Sequence, residues 1–183
     1  MMLEGESSSG RFYIGASTKK QLRVCAVVRT VDLECNQVDN ESYSLLISKT
    51  PTGAGDCFCY LKNNADKDIV ISSIKLYAAS DETITIKIGD TGTPVGGTDT
   101  IPVNRMAGSG NVADVDCETG VDITGLSGGD EVESIFIKGG ESSIRYGWVG
   151  GIIIPKNHTF TIYATTGAIA ILSTISMHFC GCE

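Results

Sequence analysis

The chain reads as all-β, an antiparallel two-sheet sandwich of jelly-roll type preceded by an extended N-terminal arm, and three observations predict it. Apolar residues recur at every second position in one short run after another, the period that turns alternate side chains to opposite faces of a strand. No window of ten or more residues shows apolar spacing at i, i+3, i+4, i+7 that beats its strand reading. The 22 glycines sit between the runs, where turns are needed, and only 7% of residues are aromatic, leaving Ile and Val to build the core.

Taken in order, residues 1–10 (MMLEGESSSG) read as a polar tail. Residues 21–34 are strand-like, and a shorter strand follows over 43–48. The run KTPTGAGD then interrupts any regular element, because Pro51, Gly53 and Gly55 stop helices and strands alike. On this signal the chain divides into an arm with one or two strands, 1–50, and a sandwich, 51–183. Residues 57–61 are read as the first strand of the sandwich. Over 68–78 the apolar phase runs Ile69, Ile71 and then Ile74, Leu76, Ala78. A slip of one residue at Ser72-Ser73 predicts a β-bulge, since an uncorrected slip would turn the buried set outward. Residues 83–89 alternate with Ile84, Ile86 and Ile88 inward and Thr83, Thr85 and Lys87 outward. A Gly/Thr-rich connection and a short 101–103 strand follow, and 107–131 reads as a Gly/Asp-rich stretch with short strands at most. Strands over 132–138 and 148–154 lead to the turn Pro155-Lys156-Asn157. Residues 159–165 place Phe160, Ile162 and Ala164 inward and Thr159, Thr161 and Tyr163 outward. The last strand carries Ile169, Ile171, Ile175, Met177 and Phe179 on one face. The order in which the strands connect does not follow from these signals.

The formal net charge is −8, and it is unevenly spread. Residues 1–50 hold six acidic and six basic side chains, whereas 51–183 hold 16 acidic against 8 basic, with no Lys or Arg between Arg105 and Lys138. A surface that neutralises phosphates needs the opposite balance, so nucleic acid is not an expected partner. The first residues lack a basic region leading into an apolar one, and no apolar run approaches the ~20 residues that span a bilayer. The expectation is therefore a chain made in a cytosol with no membrane partner. Seven cysteines, an odd number, fit reduced thiols better than a disulfide framework.

The inventory for catalysis is thin, and no enzyme activity is expected. The two histidines are His158, in a turn, and His178, on the last strand. There is no Gly-x-Ser-x-Gly elbow, no HExxH and no GxxxxGK[ST] loop, and the Gly-rich segments precede no helix that would hold a phosphate. One metal arrangement is conceivable. His178, Cys180 and Cys182 fall at alternate positions on the last strand, and Cys57 and Cys59 repeat that spacing on the presumed first one. If those strands were neighbours, the five side chains would offer thiolate and imidazole ligands suited to zinc. Against it, a Cys-x-Cys on a regular strand splays its sulfurs, so the expectation is small residues on a covered strand face, and neither metal nor cofactor is assigned. The acidic residues Asp114, Asp116, Glu118, Asp122, Asp130, Glu131 and Glu133 supply oxygen ligands of the kind Ca²⁺ takes, but they do not follow the D-x-[DN]-x-[DN]-G loop, and a solvated surface is the simpler reading. The outward threonines Thr83, Thr85, Thr159 and Thr161 would suit a sugar-binding face with Tyr163 as its one outward aromatic.

Several segments together resemble a known class. These are Tyr60-Leu61-Lys62-Asn63-Asn64 leading to Ile69-Val70-Ile71-Ser72-Ser73-Ile74, then Thr83-Ile84-Thr85-Ile86-Lys87-Ile88-Gly89, GTPVGGTDTIPVNRMAGSGN and GGIIIPKNHTFTIYATT. Over about 57–179 the texture is similar to the small β-sandwich virion proteins of tailed bacteriophages that decorate or cement the capsid or sit on head or tail. The likeness includes no catalytic motif, and neither residues 1–50 nor the HFCGC end share in it. It implies a structural virion protein, made in the host cytoplasm, that binds the major capsid protein or other virion proteins and neighbouring copies of itself, with a homotrimer suiting a threefold position. The arm would grip a neighbour, with Arg11, Lys19, Lys20, Arg23 and Arg29 as interface candidates. A carbohydrate- or receptor-binding module of a tail or head fibre is the alternative.

Overall fold

The computed structural model describes residues 2–7, 10–16, 22–24, 35–36 and 39–180. The chain forms two units, Met1–Val31 and Asp32–Glu183. In the first, strands β1 (Met2–Ser7), β2 (Gly10–Ala16) and β3 (Leu22–Val24) make an antiparallel sheet in that order. The polar start read as a tail is therefore a strand.

The second unit is an antiparallel two-sheet sandwich, as the alternation predicts. Its strands are β4 (Ser42–Lys49), β5 (Asp56–Asn63), β6 (Asp68–Ala78), β7 (Glu82–Val95), β8 (Thr98–Asp99), β9 (Val103–Asn104), β10 (Val115–Ile137), β11 (Ile144–Ile154), β12 (Thr159–Ala164) and β13 (Ile171–Cys180). One sheet runs β11-β6-β13-β4-β9 and the other β5-β12-β7-β10-β8. Between them lie Leu45, Ile47, Phe58, Leu61, Ile71, Ile74, Ile84, Ile86, Phe160 and Ile175, each almost wholly out of water. Burial of that many branched aliphatic side chains, at about 1.5–3 kcal/mol each, is the main force holding the sheets together.

Three features depart from the sequence reading. The domain boundary lies at 31/32, not at 50. Strand β4 pairs along its length with β13, from Tyr43↔Met177 to Lys49↔Ile171, and is integral to the sandwich. Glycine and proline at 51–55 mark a turn between sheets, not a domain edge, with Ala168 N–H donating to the Pro51 carbonyl at 2.7 Å. Second, the stretch read as 107–131 with short strands contains most of the longest strand. The N-terminal half of β10 pairs with β5 (Val115↔Asn63 to Ile123↔Cys57) and its C-terminal half with β7 (Thr124↔Val95 to Ile137↔Glu82), so this sheet closes on itself. The outer parts of β7 and β10, with β8, form an arch over the sheet, and Gly92 (φ +115°) and Gly125 (φ +80°) sit where its two strands come closest. A Cβ on either would run into backbone of the other strand, the Gly125 carbonyl oxygen in one case and the Thr93 oxygen in the other. Third, the arch covers the outer face of β12. Thr159 and Thr161, expected outward, are 5% and 0% exposed.

The predicted bulge is present. Ser176 pairs with Ser73 and Met177 with Ile71, leaving Ser72 unpaired and donating its hydroxyl to the Ser176 carbonyl at 3.2 Å.

Candidate interaction surface

A pronounced surface feature is apolar. Residues 101–112 connect β8, β9 and β10, and Ile101, Val103 and Val112 are 68%, 70% and 66% exposed, with Met106 beside them. They line one open groove together with Pro102 and Ala107. Apolar side chains gathered in water in this way make the loop a candidate interaction surface.

The loop is held in shape by polar contacts at its base. β9 pairs with the start of β4 through Tyr43↔Asn104 and Ser44↔Val103. The Arg105 N–H donates to the Ser42 carbonyl at 2.8 Å, and the Asn104 amide donates to the Asn40 carbonyl at 2.7 Å while its oxygen accepts from the Met106 N–H. Asn111 donates to the same Asn40 carbonyl at 3.3 Å. Asn40 itself adopts φ 57°, which turns its carbonyl toward both asparagines and suits an Asn better than a branched residue. The apolar side chains are thus presented on a pinned backbone, which lowers the ordering cost of binding.

On the other sheet's outer face the arch encloses a polar cluster. The Asp90 carboxylate, 4% exposed, accepts hydrogen bonds from the Thr161 hydroxyl and, at 2.8 Å, from the Tyr163 hydroxyl. Thr159 donates to the Asp90 carbonyl at 2.7 Å. Gly89 at φ +80° permits the turn of β7 that brings Asp90 over β12. Burial, and then the neighbouring Asp90 carboxylate, push the Tyr163 phenol well above its usual range, so it stays a donor. Lys87 lies over the Tyr163 ring at 4.8 Å. Cys57, Tyr60 and Ile123 complete a small second core under the arch. All the hydroxyls have acceptors, and the arrangement fastens the arch to the sheet.

Cys57 and Cys59 are not brought beside His178 and Cys180. β5 and β13 lie in different sheets, and the strand that β13 actually flanks at the start of the sandwich is β4. Cys59↔Ile162 is followed by Cys57↔Tyr163, so Phe58 is an extra residue in β5 and turns Cys57 away from Cys59. Cys59 faces the main core and Cys57 the small one. Burial pushes the Cys57 and Cys117 thiols up to about 12 and raises Cys59 as well. His178 is buried, Cys180 is half-buried, and Cys182 lies outside the described residues. Among the described residues no group of three or more His, Cys, Asp or Glu could hold a metal ion. The acidic residues lie along β10 and just before it. Asp116 accepts from Asn64 at 2.9 Å, Glu133 accepts from the Trp148 indole at 3.3 Å, and Glu118 stands opposite Asp99. Burial and then the Asp99 and Asp116 charges raise the Glu118 carboxyl above its ordinary range. His158 is exposed in its turn, its Nδ1 3.0 Å from the Lys156 carbonyl oxygen.

Of the interface candidates, Arg11 lies on β2 opposite Glu6, and Arg23 lies on β3 opposite Gly15. Lys19, Lys20 and Arg29 lie outside the described residues. The sequence shows a short strand at 101–103 but no apolar surface over 101–112, because the apolar residues there are separated by Asn, Gly and Ser and follow neither period. Four large apolar residues inside a turn-rich segment were the available signal.

The fold and this surface define the class: an all-β sandwich with an exposed apolar loop held on a hydrogen-bonded frame. Searches with family models, against curated proteins and against solved structures find no match to the chain.

Proposed function

We propose that this protein is a structural component of a virion, a capsid decoration or cement protein that binds the major capsid protein and adjoins further copies of itself. The observation that carries this reading is the loop 101–112, which holds Ile101, Val103 and Val112 in water on a hydrogen-bonded frame. A docking protein has use for such a rigid apolar patch, and repetition over a lattice lets contacts of modest strength suffice. The strand texture over 57–179 that resembles phage virion proteins points the same way, and so does the acidic sandwich, a poor partner for packaged nucleic acid.

Co-sedimentation with purified capsids tests it. Replacing Ile101 and Val103 together by Asp is expected to weaken capsid binding at least about tenfold, the equivalent of ~1.4 kcal/mol, while the strand signal in circular dichroism is kept. Equal binding by this variant, or no binding by the parent protein, would count against the proposal.

One observation favours a second reading, a carbohydrate-binding module. Phe136 is 58% exposed and pairs with Thr83, and the next outward pair brings Tyr163 and Ser134 on either side of Thr85. An aromatic platform among hydroxyls is a sugar-binding chemistry. Binding on a glycan array that Phe136→Ala abolishes would favour it over the first reading.

A further inference from the structure

We propose that two copies of this chain join face to face across a two-fold axis, each presenting the outer face of its β11-β6-β13-β4-β9 sheet to the other. The inference rests on the proposed function in one respect, that copies of this chain work side by side, and it names the surface through which they meet.

Charge singles out this face. The strands of the opposite sheet, β5, β7, β8, β10 and β12, carry ten acidic residues against two basic. The strands of the β11-β6-β13-β4-β9 sheet carry one acidic residue, Asp68, against Lys49, Lys75 and Arg145. Two molecules of net charge −8 repel each other, least where neither presents its acidic side. The register gives the face that turns away from the core. Arg145, Lys75, Thr174 and Leu46 make one row across the strands, and Tyr77, Leu172 and Ser48 make the next. On the other side of the first row lie Ser73, Ser176 and Ser44. Leu46 is 73% exposed and Leu172 48%. The hydroxyl side chains around the two leucines are short, so a second sheet can approach to the about 10 Å at which sheets pack.

The face is also complementary to itself. An open groove of about 420 Å³ is lined by Leu46, Tyr77 and Leu172, and by the exposed Lys75 and Glu141. Among the described residues neither Lys75 nor Glu141 forms an ion pair. Ser143 comes level with Tyr77, since Ile144 pairs with Leu76, so Arg145 and Glu141 lie on opposite sides of the Tyr77–Leu172–Ser48 row. A two-fold axis along that row sets Leu172 against its own copy. The same axis turns Glu141 of each copy toward Lys75 and Arg145 of the other, an isologous contact. Leucines at the centre with charges at the flank match the apolar core and polar rim of protein interfaces. The four strands β11, β6, β13 and β4, at about 4.8 Å spacing and about 30 Å long, span roughly 600 Å², comparable with the about 800 Å² that each partner gives to a standard interface. The loop 101–112 adjoins this face only at its edge, where Val103 pairs with Ser44, so one copy can use both surfaces.

Sedimentation of the full-length chain over a concentration series tests this. The parent protein is expected to reach twice 19.3 kDa, because an isologous contact closes at two copies. Leu46→Lys with Leu172→Lys should weaken association at least tenfold; both positions are exposed, and an unchanged strand signal in circular dichroism shows that the fold is kept. Lys75→Glu and Glu141→Lys should each weaken it as well, and an equimolar mixture of these two variants should restore it, since each then offers the charge the other lacks. Mild oxidation of Leu172→Cys should give a reducible dimer that neither the parent nor Val121→Cys, on the opposite sheet, gives. A parent protein that stays at 19.3 kDa, or that forms three copies, overturns the inference. So does association that the leucine pair leaves unaltered, or a mixture of the charge variants that stays dissociated. Capsid binding is read separately: a dimer that ignores capsids would defeat the proposed function and leave this inference standing, and a monomer that binds them would do the opposite.

Discussion

Cysteine burial has a consequence at the residue scale. Cys57 and Cys117 sit in apolar surroundings that push their thiols from 9.0 up to about 12. In the unfolded chain the thiols ionise near pH 9, while in the folded chain they keep their protons until about 12. The unfolded state therefore sheds protons first, so the stability they contribute is full below pH 9 and is lost as pH rises toward 12. The slope should approach about 1.4 kcal/mol per pH unit for each thiol. Urea unfolding at about pH 8 and about pH 10.5 measures it, and the Cys57→Ala/Cys117→Ala variant should show a visibly shallower fall. An unchanged slope would mean that other groups are responsible. The alternation of Cys57 and Cys59 was legible in the sequence, but their divergence was not, because the bulge at Phe58 has no local signature comparable to the phase slip at Ser72-Ser73. Apolar residues flank that slip on both sides and report the change of face. Around Phe58 every residue from Cys57 to Leu61 is buried, so no change of polarity marks the turn.

At the scale of elements the arch of β7 and β10 is the part most exposed to a single substitution. Gly125 is in the left-handed region, and a Cβ there meets the Thr93 carbonyl oxygen. Gly108 has the same backbone sign (φ +82°) but nothing within 4 Å. Gly108→Ala should cost only the left-handed penalty of about 1 kcal/mol, and Gly125→Ala distinctly more, roughly 2 kcal/mol or above, because the strands of the arch must also separate. Urea midpoints of the two variants test the difference, and equal losses would show that the close approach is relaxed at little cost. The same arch explains why Thr159 and Thr161 were misplaced. Their alternation correctly turns them away from the main core, and a second layer then buries them there. Residues 107–131 hid a strand for a related reason. Glycines and aspartates are poor strand formers in isolation, yet pairing with β5 and β7 on successive stretches supplies the ladder that propensity lacks.

For the whole molecule, the sandwich is knit by pairings between distant parts of the chain. β4 joins β13, and β5 joins β12 and β10. Such contacts require large loops to close before any burial rewards them, so refolding of the chain should take milliseconds to seconds. Stopped-flow refolding monitored by Trp148 fluorescence is the measurement, and a dominant microsecond phase would contradict the topology. The first and last strands of the sandwich are paired neighbours, β4 and β13. Reading Pro51 and the neighbouring glycines as a domain edge instead made β5 the first strand and set Cys57 and Cys59 against the wrong partner.

Sequence alone determined the all-β class, the two-faced strands, the bulge at Ser72 and the acidic character of the larger unit. Each of these depends on residues within a few positions of one another or on composition. Tertiary structure alone decided the closure of β10 onto both β5 and β7, the burial of Asp90 with its hydroxyl donors, the scattering of the cysteines and the exposure of the loop 101–112. These depend on which strands pair and what layer lies above them, and two residues a hundred positions apart leave no mark on each other until the chain brings them together.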